Sequence, residues 1–143
     1  MSRTEISAGG VVYRTEDGRL QIQLIQDRYG KVSLAKGKRE PGETPREAAL
    51  REIREETGIE GRIIQLVDII RYQYENEKYG LVDKEVRYYL VEALGGELRA
   101  QQEEIRGVEW FSPEEALILH KKSGYENNHP ILRSAMEMLG LKL

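Results

Sequence analysis

Apolar and polar positions alternate along Leu20, Ile22 and Leu24 against Gln21 and Gln23, a period of two that predicts a half-buried strand. Ile6 to Tyr13 has the same β-rich character, and the polar turn Glu16-Asp17-Gly18 joins the two runs into a hairpin. The next segment, Lys36 to Glu43, mixes charge with Gly37, Pro41 and Gly42 and reads as a loop. It leads into Thr44-Pro45-Arg46-Glu47, where Thr at N-cap, Pro at the first helical position and Glu three residues after the cap predict a helix over Pro45 to Thr57, ended by Gly58. Strands follow at Ile63 to Tyr74 and Val86 to Ala93, with the charged stretch Glu75 to Lys84 expected as a solvent-facing connection. Tyr88 and Tyr89 must point to opposite faces of their strand. Gly95-Gly96 marks a turn, Val108 to Phe111 a short strand, Ser112-Pro113-Glu114-Glu115 a second helix start running to about Lys121, and Pro130 to Leu139 a last helix stopped by Gly140. This order predicts an α/β protein with a mixed sheet sandwiched between helices, built as one domain over residues 1–143.

Composition narrows the chemistry. The chain has 143 residues, 39% hydrophobic and 33% charged, with a net charge of −3, so it has no basic field for bulk nucleic acid. A phosphate-bearing partner would have to be small and held by local lysines or by metal. Cysteine is absent, which removes disulfides, thiolate zinc sites and a cysteine nucleophile. The two histidines, His120 and His129, sit late in the chain and are expected to pack or cap at helix ends with no catalytic role. The start shows no secretory h-region and no stretch approaches the length of a membrane span, so the expected location is the cytoplasm. No isolated apolar stripe indicates an oligomeric state.

The predicted helix over Pro45 to Thr57 carries the one electrostatic anomaly. At about 100° per residue, Glu52, Glu55 and Glu56 crowd one flank beside the apolar stripe Ala49, Leu50 and Ile53. Like charges at this spacing cost an isolated helix about 0.2–0.5 kcal/mol per pair. Arg51 lies four residues after Glu47 and four before Glu55 and can pair with both. A solvated helix laced with such pairs is the ordinary reading of this pattern. A missing cation is the other. Gly37 and Gly42 have the glycine spacing of a P-loop, but Glu43 stands where its lysine would be and would repel phosphate.

The full spacing is Gly37, five residues, Glu43, seven residues, then Arg51-Glu52-Ile53-Arg54-Glu55-Glu56-Thr57-Gly58-Ile59. It agrees at every fixed position with the Nudix box GX5EX7REUXEEXGU, where U is aliphatic, and the chain resembles the Nudix hydrolase family. SAGGVV near the start, LAKG before the box and EWFSPEEA after it extend the likeness across most of the chain. The resemblance implies an α/β/α sandwich with a mixed sheet. It further implies hydrolysis of a nucleoside diphosphate linked to another group, by water attack on phosphorus with Mg²⁺ or Mn²⁺ present. Carried over position by position, Glu52, Glu55 and Glu56 would be metal ligands with the Gly37 carbonyl, Arg51 the orienting cation, and Glu43 a structural partner. Glu55 is favoured as general base, with Glu104 as a further ligand or base.

The region after the box, DIIRYQY and then DKEVRYYLVEA, looks like that of dinucleoside polyphosphate hydrolases of this family. There a tyrosine after the box stacks a base and a lysine on the next strand contacts phosphate, which maps to Tyr72 or Tyr74 and to Lys84. Lys36 and Lys38, flanking Gly37, are expected to contact phosphate. Ala35 and Val32 stand where such relatives commonly have Pro and an aromatic residue. Oxidised nucleoside triphosphates, ADP-ribose, a diphosphoinositol polyphosphate, a capped RNA 5′ end, or binding without cleavage are the alternatives.

Overall fold

A computed structural model describes residues 3–101, 103 and 105–143. Among these, strands β1 (Arg3–Glu16), β2 (Arg19–Asp27), β3 (Val32–Ser33), β4 (Lys36–Lys38), β5 (Ile59–Asn76), β6 (Gly80–Gly96) and β7 (Ile105–Phe111) form one seven-stranded sheet. The main path runs β3-β2-β1-β6-β5, with β4 paired to β1 and β7 paired to β2. Only β1 and β6 pair in parallel, so the sheet is mixed as expected. Helix α1 (Pro45–Thr57) covers one face, and α2 (Pro113–Ser123) with α3 (His129–Met138) covers the other.

Strand alternation divides the core between the two faces. Val12, Tyr89 and Val91 pack with Ala48, Ala49 and Ile53 of α1. Their neighbours Val11, Tyr88 and Leu90 pack with Ala116 of α2 and with Ile131, Leu132, Ala135 and Met136 of α3. Tyr88 and Tyr89 therefore do face opposite ways, both buried.

Helix α1 begins and ends where its caps dictate. Thr44 Oγ1 accepts the Glu47 N–H at 3.1 Å and Glu47 Oε1 accepts the Thr44 N–H at 2.9 Å, a complete capping box. Gly58 closes the helix at φ 81°, a left-handed conformation that favours glycine. This use of the Glu47 carboxylate corrects the expected Glu47–Arg51 pair, because the cap takes the side chain that would have reached along the helix.

Two further expectations change. Lys36 to Lys38, expected in a loop, forms β4 by pairing with Ser7 to Gly9 of β1. The charged stretch Glu75 to Lys84 is mostly strand: β5 and β6 pair from Asn76↔Gly80 back to Ile59↔Gly96, with register shifts near Gly61, Gln65 and Asp68, and only a tight turn remains between them. Asn76 Oδ1 accepts the Lys78 and Tyr79 N–H groups at 2.8 and 3.1 Å, and Gly80 takes φ 74°. No helix among the described residues is long and apolar enough to cross a membrane.

Candidate active site

The box loop is pressed between β1 and α1. Gly37 sits opposite Ala8, and any side chain there would collide with the carboxylate of Glu52. A side chain at this position would push the Glu52 carboxylate from its place, so glycine here lets Glu52 lie against the loop.

Arg51 organises the acidic edge of α1. Its Nε and Nη2 hold Glu43 through two bonds of 2.6 and 3.0 Å, Nη1 reaches Glu52 at 2.8 Å and Glu55 at 3.2 Å, and Nη2 donates to the Lys38 carbonyl at 2.9 Å. The paired bonds to Glu43 use the planar fork that only arginine offers. Glu43 also accepts the Glu40 N–H, and its carboxyl is held below the usual glutamate range by Arg51 first and that backbone bond second. The hydrogen bonds that the guanidinium donates, to Glu43 first and then Glu52, raise it further, and it stays charged.

Glu56 behaves differently from Glu52 and Glu55. It is buried, with Oε2 accepting the Lys36 N–H at 3.0 Å, while Glu55 is half exposed on the solvent edge. Among the described residues, no three acidic or histidine side chains converge closely enough to hold a metal ion by themselves. The expected cage of Glu52, Glu55 and Glu56 is thus not assembled, because Arg51 draws the first two while Glu56 turns to the Lys36 amide. The donor set still fits a hard divalent cation. It offers only oxygen donors, Glu56 among them lines a cavity, and Mg²⁺ commonly takes one or two carboxylates with the rest of its shell from water and phosphate. Glu104, expected as a further ligand or base, lies outside the described residues.

That cavity, about 440 Å³, opens on the sheet face away from the body of α1. Lys36, Glu56 and Tyr72 line it, so the structure brings these three expected residues together. Val86 and Tyr88 form part of its floor, where Tyr88 Oη donates to Asn128 Oδ1 at 3.2 Å. Burial first, then the nearby Tyr72 and Glu56, raise the Tyr88 hydroxyl above its ordinary range. The far wall is closed by Tyr125, whose hydroxyl donates to Asp27 and is pushed up to about 12 chiefly by that bond. Asp27 in turn accepts the Tyr29 and Lys31 N–H groups, both at 2.9 Å, which fixes the β2–β3 turn against the α2–α3 connection.

Lys38, Tyr74 and Lys84 lie off this cavity. Lys84 is buried and donates to Glu5 at 3.1 Å and Ser7 at 2.6 Å, while the Tyr74 hydroxyl donates to Glu5 at 2.9 Å. Glu5 thus engages both Lys84 and Tyr74, so each has a carboxylate partner within the sheet. Tyr125, Asp27 and Asn128 have no place in the sequence reading of the site, whereas the alternation of Tyr88 with Tyr89 implies that at most one of that pair faces it, and Tyr88 is the one lining the cavity.

His120 and His129 stack with ring centres 5.3 Å apart at the far end of α2 and the start of α3, a packing position as expected.

The NUDIX domain family model matches residues 3–134. The chain is 34% identical over 142 residues to the putative mutator protein MutT4 of Mycobacterium tuberculosis, covering 94% of this chain and 56% of that protein. It is 33% identical over 124 residues to an uncharacterized Nudix hydrolase, orf19, of Rhodococcus erythropolis, covering 76% and 64%. The chain thus spans little more than half the length of these curated relatives. Among solved structures, a C. elegans Ap4A hydrolase binary complex superposes with a TM-score of 0.73 at 25% identity, covering 95% of this chain and 98% of that one. The NUDIX domain of Shewanella oneidensis NrtR complexed with ADP ribose shares the fold, with a TM-score of 0.72 at 16% identity over 97% and 90% of the two chains.

Proposed function

The chain belongs to the NUDIX domain family, and on that premise we propose that it is a metal-dependent pyrophosphohydrolase acting on a nucleoside diphosphate linked to another group, with a dinucleoside polyphosphate of the diadenosine tetraphosphate type as substrate. One observation carries the reading: the buried box glutamate, Glu56, reaches the same cavity as Lys36 and Tyr72. A carboxylate, a cation and an aromatic ring lining one cavity match the three parts of such a substrate, which are the reacting phosphate with its metal, the remaining phosphates and a base. The likeness to the C. elegans Ap4A hydrolase supports the substrate class.

Gly37, Glu52, Glu55, Glu56 and Glu104 would hold the divalent ion. The chemistry such an ion supplies when bound is charge neutralisation at the pyrophosphate and acidification of the attacking water. Arg51 presents Glu52 and Glu55 in fixed orientation through its 2.8 and 3.2 Å bonds. Glu55, the more exposed of the pair, takes the proton from water. Lys36 and Lys38 steady the phosphates, and Tyr72 offers a face for base stacking, an interaction of about 1–3 kcal/mol per base.

The test is a turnover assay with purified protein, Mg²⁺ or Mn²⁺, and a panel of diadenosine tetraphosphate, adenosine triphosphate, an oxidised nucleoside triphosphate, ADP-ribose and a capped RNA 5′ end. Diadenosine tetraphosphate should show the highest kcat/KM, and Glu56→Gln should lower it by about 10²-fold or more while the far-ultraviolet spectrum stays unchanged. A fully active Glu56→Gln protein would remove the metal assignment. Turnover of none of the panel would convert the reading to a nucleotide-binding module.

A further inference from the structure

Three side chains expected to meet substrate, Lys38, Tyr74 and Lys84, converge on one carboxylate, Glu5 of β1. Glu5 Oε1 lies 3.1 Å from Lys84 Nζ, and Glu5 Oε2 lies 3.3 Å from Lys38 Nζ and 2.9 Å from the Tyr74 hydroxyl. Strand register explains the meeting. Glu5 pairs with Lys84, Lys84 with Tyr72, Ser7 with Lys38 and Gly9 with Lys36. Opposed residues of neighbouring strands share a face, and alternate residues of one strand share it too. Lys36, Lys38, Lys84 and Glu5 therefore lie on the cavity side of the sheet, and Lys36 and Tyr72 line the cavity itself. Burial first, opposed by Glu5, and then the nearby Lys36 and Lys38 lower Lys84 below the usual lysine range.

A strip of three lysines leading out of a cavity is a path for a chain of phosphates. One carboxylate placed within it offsets part of the positive charge and occupies the hydrogen-bonding positions that a phosphate oxygen would take. A terminal phosphate carries nearly two negative charges at neutral pH, whereas an internal phosphate of a chain capped at both ends carries one. The second charge is what a neighbouring carboxylate repels. On the reading of the cavity as a phosphorylated-nucleotide site, we propose that Glu5 is a specificity-determining residue: an internal anion that admits singly charged internal phosphates along Lys36, Lys38 and Lys84 and excludes a ligand ending there in a free terminal phosphate.

Glu5→Gln tests this, since the amide keeps an oxygen for Tyr74 and Lys84 and removes only the charge. Binding of inorganic tripolyphosphate, measured by titration calorimetry without divalent metal at fixed ionic strength, should tighten on the order of tenfold. The ratio of kcat/KM for adenosine triphosphate over that for diadenosine tetraphosphate should rise by a similar factor. Glu137→Gln, at an exposed position of α3, makes the same change in net charge and should leave tripolyphosphate binding at the wild-type value. An unchanged affinity in a folded Glu5→Gln protein, an unchanged substrate ratio, or an equal gain in Glu137→Gln would overturn the assignment. If Glu5→Gln does not fold, Lys38→Met, at an exposed site, should weaken tripolyphosphate binding several-fold, and no change would overturn the lysine path. The calorimetric measurement needs no turnover, so a protein that hydrolyses nothing yet responds in this way loses its proposed hydrolase activity and keeps the role of Glu5.

Discussion

Helix α1 and the β5–β6 ribbon each bring charged side chains toward the cavity, and they settle those charges over very different lengths of chain. On α1, Arg51 finds Glu52, Glu55 and Glu43 only 1, 4 and 8 residues away. On the ribbon, Tyr74 and Lys84 find Glu5 across 69 and 79 residues. Of these only Glu55, at i,i+4, follows from helical geometry; Glu52 is the next residue and Glu43 comes from the loop just before the helix, so all three partners are close in sequence. A strand has no such local neighbours on its face, and its partners are whatever strand the topology lays beside it. Charge on a helix can therefore be read one residue at a time, while charge on a strand acquires meaning only with the sheet order.

The two networks should respond unequally when their central cations are removed. Arg51→Ala leaves Glu43, Glu52 and Glu55 crowded at a half-open edge, and the cost in urea unfolding should be about 2–3 kcal/mol. A loss under about 0.5 kcal/mol would make the arginine network a surface ornament of the kind exposed ion pairs commonly are. Lys84→Met should cost less, about 1 kcal/mol, because Glu5 keeps the Lys38 ammonium and the Tyr74 hydroxyl and is not left unpaired. A cost larger than that of Arg51→Ala would reverse the contrast between the regions and make the ribbon network the main stabiliser.

The smallest expected effect is in acid. Glu43 has its folded-state carboxyl below the ordinary value of 4.5, chiefly through Arg51. A depressed carboxylate contributes stability that is present above the unfolded value and is lost as pH falls through the folded one. Unfolding free energy measured downward from pH 5 should therefore fall more steeply in the wild type than in Arg51→Ala. Parallel slopes would mean that Glu43 gains nothing from its arginine.

The same division explains which parts of the molecule were legible in the sequence. The bounds of α1 were, because Thr44, Glu47 and Gly58 act within a few residues of one another. The two-layered packing around a mixed sheet was legible from alternation, and the box residues Gly37, Glu43, Arg51, Glu52, Glu55 and Glu56 from their spacing. Glu47 was misread because two local uses competed for one carboxylate, and the cap prevailed. The stretch Glu75 to Lys84 looked like a loop because its charge masked a two-stranded ribbon whose pairing does not depend on apolar content. Tyr125 and Asp27 gave no sign of meeting, since they come from the α2–α3 connection and the β2–β3 turn, 98 residues apart.

From its residues alone, then, this chain determines a capped acidic helix, the spacing of the box residues around it, and the family to which that spacing belongs. These are properties of short segments, where covalent geometry and helical periodicity leave few alternatives. Only the tertiary structure decided that Glu56 would turn into a cavity while Glu52 and Glu55 stayed with Arg51, and that Glu5 would come to stand among Lys38, Tyr74 and Lys84. The physical reason is the parallel pairing of β1 with β6: it carries the start of the chain beside a strand from its middle, and no local rule specifies which side chains such a pairing sets face to face.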